Sequence, residues 1–182
     1  MTTRGGTTSD GVRRGGGCGK KGALLGVCLA LLLSAAGCGK GEQAPEVPDQ
    51  SSFPVRYALD LMGEGYPLRE PFTMMTVTRA RRAGDLLGAG GLLVVHTHFT
   101  GGESGEYAAY DLACPYEWPG IVRLVPREDG SLEAVCPACG TVYDLTFGAG
   151  LPKEGKSRYP LWQYRIVRRG TILEITNEPM TY

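Results

Sequence analysis

Three thiols and a carboxylate recur at matched offsets in the second half of this 182-residue chain. Cys114-Pro115-Tyr116-Glu117 is followed, after 18 intervening residues, by Cys136-Pro137-Ala138-Cys139-Gly140. Each limb puts two metal-capable side chains three positions apart. The spacing matches a Cys-x2-Cys-x15–20-Cys-x2-Cys zinc site with one thiolate replaced by a carboxylate. In the second limb a sharp turn brings two sulfurs together, and Gly140 tolerates the left-handed backbone such a turn requires. A thioredoxin-type redox pair needs its Cys-x-x-Cys to open a helix, which lowers a thiol pKa. Here Thr141-Val142-Tyr143-Asp144-Leu145 follows, a strand-like run. An odd number of thiols cannot all pair. Two outcomes remain open: one disulfide with one free thiol, or three thiolates acting together on a metal with Glu117 as a further ligand.

The elements that must position these limbs read as β-strands. Val55, Tyr57, Leu59 and Leu61 alternate with Arg56, Ala58, Asp60 and Met62, which predicts a strand with one buried face. Further strands are expected over 72–79, 92–99, 106–111, 121–125, 132–135, 141–145, 162–167 and 171–175. Gly, Pro or Asp-Gly turns separate most of them. Arg168-Arg169-Gly170 is expected to turn a hairpin, and Gly88-Ala89-Gly90-Gly91 to be a turn. No amphipathic helix of normal length and no internal repeat is present. The expectation is an all-β barrel or sandwich of about nine strands spanning 53–182.

The first 52 residues have a different character. Residues 1–22 are rich in Gly, Thr and Arg and lack apolar periodicity. Residues 23–36, ALLGVCLALLLSAA, are apolar or small and follow Arg13, Arg14, Lys20 and Lys21. Fourteen such residues fall short of the ~20 needed to span a bilayer, and a basic stretch before a short apolar one describes a signal peptide. Ala35-Ala36-Gly37-Cys38 resembles the lipobox of bacterial lipoproteins, which implies cleavage after Gly37 and acylation of Cys38. Several acyl chains, each buried methylene contributing roughly 0.8 kcal/mol, anchor a protein stably. Residues 39–52 are polar with two prolines and read as a flexible tether. The organisation expected is a signal peptide over 1–37, a lipidated Cys38 with tether over 38–52, and a domain over 53–182. That places the domain outside the cytoplasm in a bacterial cell envelope, with the outer membrane as the expected anchoring site.

Charge and composition remove other classes. The chain has 19 basic and 19 acidic residues; five basic residues and one acid fall within 1–37, so the remainder carries about −4. No basic patch interleaved with aromatics is present, which speaks against nucleic acid as a partner. No Ser/His/Asp or paired-carboxylate arrangement supports hydrolysis, and the domain is not expected to be an enzyme by itself. His96 and His98, two apart on one strand, share a face; ordinary surface or half-buried histidines are expected there. Trp118 is expected to cover the first limb or to pack in the core, Tyr143 and Asp144 to support the limbs, and Arg79, Arg81 and Arg82 to be solvated.

Ala109-Tyr110-Asp111-Leu112-Ala113-Cys114-Pro115, then Cys136 through Leu145, then Gly148, Leu151-Pro152 and Leu161, resemble a Rieske iron–sulfur domain over roughly residues 92–176. The resemblance implies a Rieske-type β-sandwich with a small cluster-binding subdomain built on two loops. It also implies a [2Fe–2S] cluster, whose two irons take two Cys and two His respectively, and an electron-transfer role with a redox partner protein in the envelope. By position, Cys114 and Cys136 match the cluster cysteines, while the histidine positions fall on Tyr116 and Cys139, which makes Cys139 a further ligand and Tyr116, a poor replacement for His, or Glu117 beside it the fourth. A cluster with anionic ligands in place of imidazole is expected toward the all-Cys potentials near roughly −400 mV. Zinc in a Cys3Glu site, or a metal-free fold with a disulfide among Cys114, Cys136 and Cys139 acting as a structural or interaction module, are the alternatives.

Overall fold

The structure is a computed structural model that describes residues 52–97 and 104–177. It is all-β. Eleven strands are present among the described residues, with only short 3-10 turns between them. In chain order they are β1 (Val55–Asp60), β2 (Met74–Val77), β3 (Leu86–Leu87), β4 (Leu92–His96), β5 (Tyr107–Asp111), β6 (Val125–Pro126), β7 (Glu133–Val135), β8 (Val142–Asp144), β9 (Leu151–Glu154), β10 (Gln163–Arg169) and β11 (Ile172–Thr176).

Seven strands form one antiparallel sheet in the order β2-β4-β5-β10-β11-β1-β3, and four form a second in the order β6-β7-β8-β9. Strand β10 joins the limbs of the large sheet. Its first residues, Gln163 and Tyr164, pair with Tyr110 and Ala109 of β5, while Arg165–Arg169 pair with β11. The sheet thereby curls, and its inward residues meet. Val55, Tyr57 and Leu59 of β1, Leu173 and Ile175 of β11, and Tyr164 and Ile166 of β10 pack with Leu92, Val94 and Ala109 of β4 and β5.

The opposite face of β4 and β5 is buried as well. Leu93, Val95, Ala108 and Tyr110 pack against Leu132, Ala134, Tyr143 and Leu145 of the small sheet and its flanks. The two central strands are therefore a middle layer. This explains why Leu92–Val95 is continuously apolar while β1 alternates: a strand covered on both faces has no solvent side to keep polar.

The expected strand count falls short by two. Strand β3 is only two residues long, and β9 contains Pro152 between exposed residues at the edge of the small sheet, where proline costs no ladder bond. Most other boundaries shift by one or two residues. The segment expected as a strand over 121–125 mostly hydrogen-bonds elsewhere: Val122 accepts from Cys114 N–H and Leu124 donates to the Leu112 carbonyl, leaving only Val125–Pro126 in the sheet. The leader, the tether up to residue 51, Cys38 and His98 lie outside the described residues. No helix among the described residues is long and apolar enough to cross a membrane.

His96 corrects the expectation of a surface or half-buried histidine. It is buried, with Nδ1 2.8 Å from the Leu68 carbonyl oxygen and Nε2 3.0 Å from a Glu106 carboxylate oxygen. Both ring nitrogens are engaged within the large sheet's periphery, so this side chain ties β4 to the 3-10 turn over Tyr66–Arg69. Arg81 is exposed, as expected, and pairs with Glu64, which also accepts from the Tyr57 hydroxyl.

Two buried tyrosines behave oppositely. Tyr164 donates its hydroxyl to Asp111 at 2.6 Å, whereas the Tyr110 hydroxyl has no hydrogen-bond partner among the described residues. Burial, then the charge of Asp144, raises the Tyr110 pKa. Removing an unpaired buried hydroxyl loses nothing, while removing a charge-assisted bond costs roughly 1.5–3 kcal/mol. Tyr110→Phe should leave urea-unfolding stability within about 0.5 kcal/mol of the parent, and Tyr164→Phe should lower it by about 2 kcal/mol. Equal losses in both variants would refute the contrast.

Candidate metal centre

The small sheet and the end of β5 present the two limbs that carry the cysteines. The first leaves β5 at Asp111, and its course is fixed by backbone bonds before any sulfur is considered. Cys114 N–H donates to the Val122 carbonyl at 2.8 Å, and the Cys114 carbonyl accepts from Glu117 N–H at 3.2 Å, closing the 3-10 turn over Pro115–Glu117. Pro115 opens this turn, where a missing N–H is harmless. The second limb joins β7 to β8. Cys136 N–H donates to the Thr141 carbonyl and its own carbonyl accepts from Gly140 N–H, both at 2.9 Å. Gly140 has φ +73, the left-handed conformation that the sequence led one to expect of it.

Three sulfurs converge between these limbs. Cys114, Cys136 and Cys139 are unbonded to one another, buried, and have sulfurs that all lie within 4.8 Å of each other. Cys114 Sγ and Cys139 Sγ are 3.8 Å apart. Backbone N–H groups point at two of them: Tyr116 N–H at Cys114, and the N–H groups of Ala138 and Cys139 at Cys136. Such donors favour thiolate over thiol. Burial opposes them and prevails without a metal, pushing the Cys114 thiol up to about 12 and raising Cys136.

A third segment, not signalled by cysteine spacing, closes the centre. Thr141 Oγ1 accepts from the Cys139 thiol at 3.1 Å and from the N–H groups of Lys156 and Ser157 at 3.1 and 3.0 Å. Tyr143, fully buried, holds its hydroxyl 3.5 Å from Cys114 Sγ. Burial raises its pKa, so the phenol keeps its proton and can donate to a Cys114 thiolate. The support expected of Tyr143 is thus a direct contact with the Cys114 sulfur. Asp144 serves differently, accepting from Thr146 N–H to shape the turn after β8. Ser157 was unreadable from spacing alone; the Gly155 that precedes it was the available signal.

The carboxylate and phenol of the first limb take no part in the convergence. Glu117 is half-buried and its carboxylate is not in the group of mutually close donor atoms; Tyr116 is exposed and contributes its backbone N–H. Trp118 packs edge-on against Phe53 and Trp162, with ring centroids 4.9 and 5.9 Å away, forming an aromatic group beside the limb.

No protein-family model matches the chain, and no curated protein is a significant match. The donor set must therefore be judged on its own chemistry. A [2Fe–2S] cluster takes four protein ligands, two on each iron. The described residues bring together three. Carried over by position, Cys114 would serve one iron and Cys139 the other, yet their sulfurs are 3.8 Å apart, closer than a sulfide-bridged pair of irons can separate its outer ligands. The trio does not fit the two-iron cluster.

Proposed function

We propose that this chain is a lipid-anchored metal-binding module of the bacterial envelope, with Rieske-like architecture and a thiolate centre made by Cys114, Cys136 and Cys139. The observation that carries this reading is the convergence of three unbonded, buried sulfurs from two separate limbs, two of them facing backbone N–H donors. Burying three thiols side by side brings little packing benefit that aliphatic residues would not supply, whereas a metal needs this preorganisation. The Rieske-like part rests on the resemblance in sequence and is supported by a small sheet that carries the second limb and packs beside a larger curled sheet from which the first limb departs. Anchoring rests on Cys38 and its preceding residues. Electron carriage would require a redox-active centre, and the donor set gives it no support.

The test is purification of the full chain under anaerobic, reducing conditions, with metal and acid-labile sulfide measured per chain. Bound metal that disappears in Cys114→Ser, Cys136→Ser and Cys139→Ser is expected; metal-free protein that also refuses metal would end the proposal. Cys38→Ala should move the protein from the membrane fraction to the soluble one. Retention in the membrane would end the anchoring claim.

The 3.8 Å approach of Cys114 and Cys139 favours one second reading, a disulfide in an oxidising compartment. Alkylation during unfolding separates the two. Protein isolated without reductant should label at three of these cysteines if the metal reading holds, and at one if the disulfide has formed.

A further inference from the structure

The geometry points to a mononuclear site for one soft divalent cation of the zinc type, bound by Cys114, Cys136 and Cys139 and by no carboxylate. The inference rests on the metal-binding reading above and specifies its ligand class.

Three observations lead there. The first is distance. Sulfurs placed about 2.3 Å from one tetrahedral ion lie about 3.8 Å from each other. Cys114 and Cys139 already stand at 3.8 Å, and all three sulfurs fall within 4.8 Å, so small side-chain rotations close the set on one centre. The second is donor type. The converging group is sulfur only, with Glu117 outside it. Thiolate selects zinc-like or softer ions over magnesium, calcium or manganese, which prefer oxygen.

The third observation concerns charge. Three thiolates with a divalent ion leave a net charge of −1 in a buried place, and that charge must be dispersed. The N–H groups of Tyr116, Ala138 and Cys139 and the hydroxyl of Tyr143 are the donors aimed at Cys136 and Cys114. A monovalent ion would leave −2 against the same donors, so the divalent ion is the better match. Binding is a ligand exchange without electron transfer: each bound thiol gives up its proton to solvent as its sulfur–metal bond forms. The fourth coordination position falls to water or another small exogenous donor, because no fourth His, Cys, Asp or Glu side chain among the described residues joins the three sulfurs.

Groups that hold a ligand sulfur in place are part of such a site, and their loss typically costs 10–100-fold in affinity. Tyr143 is the clearest of them, a positioning residue that acts through Cys114.

The experiment uses the full chain, reduced and freed of metal by a chelator, titrated anaerobically with Co2+ and then with Zn2+. One Co2+ per chain is expected, with the intense thiolate-to-cobalt charge-transfer and visible ligand-field bands of a tetrahedral thiolate site. One equivalent of Zn2+ should bleach it. Cys114→Ser, Cys136→Ser and Cys139→Ser should each remove or shift the charge-transfer band, and Glu117→Gln should leave affinity unchanged. Tyr143→Phe should weaken Zn2+ binding about 10–100-fold while the protein stays folded by circular dichroism. A tenfold loss in Glu117→Gln would overturn the all-sulfur set. Two irons and two labile sulfides per chain in anaerobically isolated protein would overturn the mononuclear inference and leave the metal-binding function standing. A protein that binds no Co2+, Zn2+ or iron with its thiols reduced would overturn both.

Discussion

Replacing Asp111 with Ala should lower the domain's stability on the order of 4 kcal/mol, the largest loss expected from any single side chain outside the sulfurs. The carboxylate is fully buried at the end of β5 and accepts four hydrogen bonds. Oδ1 takes the N–H groups of Gly90 and Ala113 at 2.9 and 2.7 Å; Oδ2 takes Ala89 N–H and the Tyr164 hydroxyl at 2.7 and 2.6 Å. One side chain thus clamps the turn between β3 and β4, the start of β10 and the root of the first cysteine limb. Three of its donors are backbone N–H groups that cannot rotate toward a new partner. An unsatisfied buried group costs about 1–3 kcal/mol, and several orphaned together do not add fully. The isosteric Asp111→Asn should cost less, about 2 kcal/mol, because its oxygen keeps two donors and the Tyr164 hydroxyl can turn to accept from the new amide; Ala89 N–H alone is left facing a donor. For a domain of this size 4 kcal/mol corresponds to a fall in Tm on the order of 15 °C. Thermal unfolding of the three proteins checks the order parent, Asn, Ala. A shift in the Ala variant below about 3 °C would show that water replaces the carboxylate, and the clamp would have to be given up.

The same residue shows what was legible in the sequence and what was not. Asp111 reads as the polar end of a strand, because the sequence shows an acid after Ala108-Ala109-Tyr110 and says nothing of the donors that other segments bring to it. Ala113 is a neighbour in sequence, but Gly90, Ala89 and Tyr164 are 21, 22 and 53 residues away, and only tertiary structure assembles them. The all-β class was readable because β1 and β11 alternate and the turns carry glycine. The three-layer arrangement was readable only in hindsight, since a continuous apolar run such as Leu92–Val95 fits a strand buried on both faces and equally a short core helix. At the centre, thiol spacing correctly brought Cys114, Cys136 and Cys139 together, because a Cys-x-x-Cys turn closed by glycine has few ways to fold. The same spacing offered Glu117 as a fourth donor. The 3-10 turn that Pro115 opens uses Glu117 N–H to bind the Cys114 carbonyl, and the residue that turns toward the sulfur is Tyr116, through its backbone. Offset in sequence fixes proximity along the chain; the handedness of the turn decides which group faces inward.

Gly155→Ala should cost about 3 kcal/mol, and its effect should centre on the sulfurs. Gly155 has φ +106, and a Cβ built there would stand 2.4 Å from Thr141 Cα, 2.8 Å from its Oγ1 and 2.9 Å from its N. Backbone cannot step aside as a side-chain tip can, so either the segment over 155–157 or the second cysteine limb must move. Strained backbone and overpacking each cost roughly 1–3 kcal/mol. The displacement would pull Lys156 and Ser157 N–H off Thr141 Oγ1, the atom to which the Cys139 thiol also donates. Gly170 supplies the control. It too has positive φ, at +62, but a Cβ there meets nothing within 4 Å, so Gly170→Ala carries only the conformational cost of about 1 kcal/mol. Urea unfolding should therefore separate the two variants by about 2 kcal/mol. Alkylation of the native, reduced, metal-free proteins gives an independent reading. The parent and Gly170→Ala should react slowly, because the thiols are buried and Cys114 is held protonated up to about 12. Gly155→Ala should react faster at Cys139, whose cover has moved. If both glycine variants lose the same stability and label at the same rate, the segment over 155–157 is an ordinary turn and has no part in closing the centre.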